Sequence, residues 1–88
     1  MKLEIKQQKN KWENYFYISF NYGYYDLTVD LSIADELDIP LKKYNKILKK
    51  WGAYNKNLVG YCFHKKQDCE MAIQELEPYL VMKKLTSE

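Results

Sequence analysis

The chain contains no arginine, one histidine and two cysteines among its 88 residues, with three glycines and two prolines. Each scarcity narrows the reading. The lack of arginine counts against sequence-specific DNA recognition, because bidentate guanine contacts are mostly made by arginine, and leaves contact with phosphates open. A single histidine, His64, limits acid–base and nucleophilic schemes. Two cysteines do not make a disulfide scaffold, and Cys62 and Cys69 are expected to be free core thiols. Gly23, Gly52 and Gly60 stand apart from one another, so there is no phosphate-cradling glycine loop. The longest apolar run, Leu58 to Phe63, is far short of the roughly 20 residues that span a bilayer. The opening residues Met1 to Lys6 alternate in polarity and carry no apolar signal core. The expected compartment is therefore the cytoplasm, with no membrane partner.

What remains is a chain for one domain. Its hydrophobic content is 47% and its aromatic content 16%, which predict a folded protein. At this length about 60–65% of the unfolded surface is buried, a modest core. All 14 basic residues are lysines, and the net charge is only +2. The distribution is uneven: six acids and no base occupy residues 12–41, eight lysines and no acid occupy 42–66, and four acids and no base occupy 67–82. The fold should be electrically patchy. Lysine without arginine, beside abundant Asn, Tyr and Ile, also matches an AT-rich gene, as in low-GC bacteria and their phages or plasmids.

Residues 2–7 alternate and predict an edge strand guarded by lysines, followed by a turn from Gln8 to Asn14. Residues 15–22 and 24–31 are rich in aromatic and β-branched residues and predict a hairpin turning at Gly23. Its inner face is read as Phe16, Ile18, Phe20, Tyr25, Leu27, Val29 and Leu31. Its outer face is read as Tyr15, Tyr17, Ser19, Tyr24, Asp26, Thr28 and Asp30. Ser32 and Asp35 begin a capped, acidic connection with room for one helical turn. Pro40 opens a helix with Leu41, Tyr44, Ile47, Leu48 and Trp51 on one stripe, ended by Gly52. Asn55 to Asn57 read as a polar loop and residues 58–63 as a strand. A second helix starts near Gln67-Asp68 and buries Cys69, Ala72, Ile73, Leu76 and Leu80. Pro78 should kink it or start a last segment through Leu85, and Thr86 to Glu88 should fray. The predicted fold is α+β: a four-stranded, largely antiparallel sheet in the order β-β-β-α-β-α, with two helices on one face. The predicted core adds Leu48, Trp51, Phe63, Ile73 and Leu76 to the inner strand residues.

For chemistry the sequence offers little. Cys62 and His64 lie two apart on a strand and point the same way. No third residue orients the histidine, and a strand thiol beside a rim histidine is the plainer reading. Cys62, His64 and Cys69 do not match a structural zinc pattern. The Asp35-Glu36-x-Asp38 run lacks the glycine and bidentate glutamate of a calcium loop and reads as an acidic helix cap. No cofactor, metal or catalytic residue is expected. Binding is the stronger expectation, on two surfaces. The first is the uncovered outer sheet face, Tyr15, Tyr17 and Tyr24 with Asp26 and Asp30, suited to a protein partner or a second copy of the chain. The second is the lysine face of the Pro40 helix, Lys42, Lys43, Lys46, Lys49 and Lys50, suited to nucleic acid, a nucleotide or an acidic protein. The leading expectation is a small non-enzymatic protein-binding module, such as a phage- or plasmid-encoded inhibitor of a host or defence protein. Nucleic-acid or nucleotide binding and Cys/His chemistry are the alternatives.

Overall fold

A computed structural model describes residues 2–56 and 60–86, with the backbone alone for 81–86. The chain is α+β, with three helices and two small antiparallel sheets. In the first sheet β1 (Lys2–Lys9) and β2 (Asn14–Asn21) pair along their full length. Leu3 sits opposite Phe20 and Ile5 opposite Ile18, which gives β2 the inner register that its alternation predicts. The turn between them is closed by Asn10, whose side-chain oxygen accepts the backbone N–H groups of Trp12 and Glu13 at 2.8 Å.

The second half of the hairpin differs from expectation. β3 is only Asp26–Leu27, and it meets β2 at two positions, Phe20↔Leu27 and Asn21↔Asp26. The rest of that edge of β2 is taken by Phe63, which exchanges backbone hydrogen bonds with Phe16 at 2.8 and 2.9 Å. A strand reaching Leu31 would need the same backbone groups. The chain therefore leaves the sheet and forms α1 (Asp30–Glu36), which buries Ile33 and Ala34. Val29 and Leu31, predicted in the core, are 60% and 54% exposed, and Tyr25 is also exposed. α1 ends in a Schellman closure. The Ile39 N–H donates to the Ala34 carbonyl and the Asp38 N–H to that of Asp35, with Asp38 at φ 58° in the position usually given to glycine. Asp35 and Glu36 thus close a helix instead of capping the start of the next one.

α2 (Leu41–Lys50) follows Pro40 and buries Tyr44, Ile47 and Leu48. Gly52 ends it as predicted, at φ 94°, with the Ala53 N–H on the Leu48 carbonyl. The segment read as a polar loop contains β4 (Tyr54–Lys56), paired antiparallel with β5 (Gly60–Cys62). Leu58 and Val59, assigned to a strand from sequence, lie outside the described residues, as do Asn57, Ser87 and Glu88. α3 (Lys66–Thr86) runs through Pro78 as one helix, and Cys69, Ala72, Ile73, Leu76 and Leu80 are buried as its stripe predicts.

The single four-stranded sheet is therefore replaced by sheets of three and two strands, joined at the Phe16–Phe63 bridge. α3 packs on β1 and β2, whereas the main neighbours of α2 are α1 and α3. The core is Leu3, Ile18, Phe20, Ile33, Leu37, Tyr44, Leu48, Phe63 and the α3 stripe, with Phe16, Leu27 and Trp51 half-buried against it. No helix among the described residues is long and apolar enough to cross a membrane.

Candidate interaction surfaces

The outer face of β2 is only partly open. Ser19 is fully buried and Tyr15 is 7% exposed; β4 reaches over the Tyr15 end of the strand, where Lys56 lies over the Tyr15 ring at 5.2 Å and pairs with Glu13 at 2.6 Å. Beyond it the surface dips into a cleft of about 430 Å³, lined by Tyr15, Tyr17, Val29, Asp30, Leu31 and Gly60. The segment from Thr28 to Leu31 forms one wall because it turns from β3 into α1 there. Three of the five residues assigned to a partner surface from sequence thus meet: Tyr15, Tyr17 and Asp30. Tyr24 lies apart at the hairpin tip, 84% exposed and tilted against Tyr25 with ring centroids 4.8 Å apart. Asp26 is engaged by Lys6 at 3.2 Å and by the Asn21 side-chain amide at 2.7 Å. Sequence reasoning missed Val29 and Leu31 as surface residues, having placed them inside. It also passed over Gly60, although an isolated strand glycine is a signal of close backbone approach.

Asp30 is fixed inside this wall. Its Oδ2 accepts the Tyr61 backbone N–H at 3.0 Å. Burial raises its carboxyl above the ordinary 3.8, while the Tyr61 N–H acts the other way. An acid with a raised folded pKa holds its proton more tightly in the folded chain. Its contribution to stability is therefore fullest below 3.8 and declines as pH climbs through the folded value. Asp30→Asn keeps an acceptor for Tyr61 and removes the charge. Its melting temperature at pH 7 should equal or exceed that of the wild type, and the difference should close as the pH falls below 3.8. A lower melting temperature at pH 7 would contradict this electrostatic account.

The lysine face of α2 forms a second surface. Lys42, Lys43, Lys46 and Lys50 line a groove of about 720 Å³ between α2 and α3, with Glu75 and Tyr79 on the facing wall. Lys42, Lys46 and Lys49 border a neighbouring hollow of about 280 Å³. Lys50 binds Glu75 at 2.8 Å, and Glu75 also accepts the Trp51 indole N–H at 3.0 Å. The hydrogen bond from Lys50 is the main reason the Glu75 carboxyl sits below its ordinary value.

The Cys/His alternative meets a different geometry. Cys62 and Cys69 are buried free thiols, pushed up by burial to about 11 and about 12, the opposite of an activated thiolate. His64 is exposed and stacks on Tyr54 at 4.2 Å. Among the described residues no three His, Cys, Asp or Glu side chains gather as a group that could hold a metal ion. Comparison with protein-family models, with curated proteins and with solved structures gives no match to this chain.

Proposed function

We propose that this domain works by binding protein, and that the cleft beside β2 is its contact surface. The partner would present a basic segment with an apolar anchor. One observation carries the reading: Val29 and Leu31 stand 60% and 54% exposed beside Tyr17 on a concave surface. Exposed aliphatic side chains grouped with an aromatic ring in a hollow are the common makeup of an interface centre. The rim is acidic. Asp30 lies in the wall, and the exposed Asp35 follows Leu31 by four residues on the same face of α1. Charge complementarity therefore favours lysine or arginine on the partner. The finer form of the proposal is an inhibitor of a host or defence protein, encoded by a phage or plasmid. It rests on the composition, lysine without arginine beside abundant Asn, Tyr and Ile, which fits an AT-rich gene.

A random peptide display library supplies a defined test. Selected peptides should carry basic residues flanking an aromatic or aliphatic anchor. Combining Tyr17→Ala with Leu31→Asp should weaken them by roughly tenfold or more, with the far-ultraviolet circular dichroism unchanged. A selection without that pattern, or peptides indifferent to both substitutions, would overturn the proposal. A dimer in sedimentation equilibrium that the same pair dissolves would replace the foreign partner with a second copy.

A further inference from the structure

We infer that the groove between α2 and α3 binds the phosphodiester backbone of nucleic acid without regard to sequence. It shares no residue with the cleft beside β2. α2 places five lysines in ten residues and contains no acid. Among the described residues, Lys50 alone of these five forms an ion pair, and its partner Glu75 is already shared with Trp51. Lys42, Lys43, Lys46 and Lys49 have no carboxylate partner among the described residues. Lys43 is held at the groove wall by the Tyr79 ring, 4.7 Å away.

The geometry favours an extended polyanion. Lys42 and Lys46 border both the groove and the neighbouring hollow, so they form a ridge that a strand can cross. Residues four apart on a helix rise about 6 Å, so the lysine row presents charge at short, regular intervals. Hydrogen-bonding chemistry separates nucleic acid from an acidic peptide. Ammonium groups only donate, and Glu75 spends its Oε1 on both Lys50 and Trp51. A phosphodiester backbone only accepts, so it leaves nothing unsatisfied. An extended acidic peptide would bring backbone N–H groups that the lysine ends cannot accept. Arginine, the residue that makes most bidentate guanine contacts, is absent, and contacts to phosphate alone carry no sequence information.

The test is fluorescence anisotropy with a labelled oligothymidylate and a labelled random duplex, each about 20 nucleotides long, titrated at several salt concentrations. Four neutralised phosphates predict a log–log salt slope of about −2.8 for the single strand and about −3.6 for the duplex. Affinity for the single strand should then fall roughly fiftyfold between about 50 and 200 mM salt. Lys42→Gln with Lys46→Gln should weaken binding by roughly tenfold and halve the slope. Neither lysine has an ion pair among the described residues, so the variant should keep its melting temperature. Lys9→Gln with Lys11→Gln removes the same charge outside the groove and should change affinity by less than about twofold. Equal losses from the two pairs would overturn the inference, as would failure to bind either probe at about 20 mM salt. Displacement of the oligonucleotide by poly-glutamate at equal or lower charge concentration would reassign the groove to an acidic protein.

Discussion

Phe20→Ala should lower the unfolding free energy by roughly 3–5 kcal/mol, measured by urea denaturation with an unchanged slope. Phe20 is 1% exposed, between Leu3 of β1 and Leu27 of β3, and its ring lies 5.0 Å from that of Tyr22. It occupies the point where three strands meet beneath α3. Removing the ring deletes its transfer free energy and leaves a cavity. The paired backbones of β1 and β3 fix the walls and prevent collapse into it. A domain of this size has roughly 4–13 kcal/mol in total, so the variant should be close to unfolding at body temperature. A loss below about 1 kcal/mol would mean that this residue is not enclosed.

Gly60→Ala should be the most damaging change at the cleft. Gly60 sits at φ 97°, where an L side chain is strained by roughly 1–3 kcal/mol. A Cβ there would lie 2.6 Å from Asp30 Oδ2, too close for either atom to stay. Displacing that carboxylate would strip the Tyr61 N–H of its acceptor, a further cost of about 1–3 kcal/mol if water does not replace it. The two effects share one atom, so they should not add. In a double-mutant cycle with Asp30→Ala, the second substitution relieves the clash, and the double variant should be more stable than the sum of the singles by at least about 0.5 kcal/mol. Strict additivity would show that Gly60 and Asp30 are not in contact.

The elements legible in the sequence are those whose pattern is local. β1 and β2 declare their register by alternation, and β2 repeats it through Phe16, Ile18 and Phe20. α2 and α3 declare themselves by apolar stripes, the first bounded by Pro40 and Gly52 and the second starting near Gln67-Asp68, one residue after the observed start at Lys66. Residues 28–37 were not legible for a non-local reason. Val29-x-Leu31 alternates as a strand would, and the α1 stripe of Ile33, Ala34 and Leu37 is too short to compete on pattern. What decides the matter is that Phe63, 26 to 35 residues further along the chain, already occupies the edge of β2. β4 is similar: Tyr54-Asn55-Lys56 has no strand signature, and its extended form comes from pairing with Gly60–Cys62. Of the cleft, Tyr15 and Tyr17 could be read from the alternation of β2, whereas Val29, Asp30 and Leu31 take their places only because the chain abandons the sheet after Leu27 and enters α1. The lysine face needed only helical periodicity, but the wall it faces, Glu75 and Tyr79, required knowing that α2 lies on α3.

The measurement that bears most directly on the role of the cleft is an amide and methyl chemical-shift map of the isotope-labelled domain, titrated with a basic, apolar-anchored peptide selected against it. The largest perturbations should fall on Tyr17, Thr28, Val29, Leu31 and Gly60, with Val29 and Leu31 methyl groups foremost, and the α2 lysines should be silent. Perturbations centred on α2 and α3, or on the Tyr24 hairpin tip with the Val29 and Leu31 methyl groups unmoved, would contradict the assignment of this cleft as the protein-binding surface.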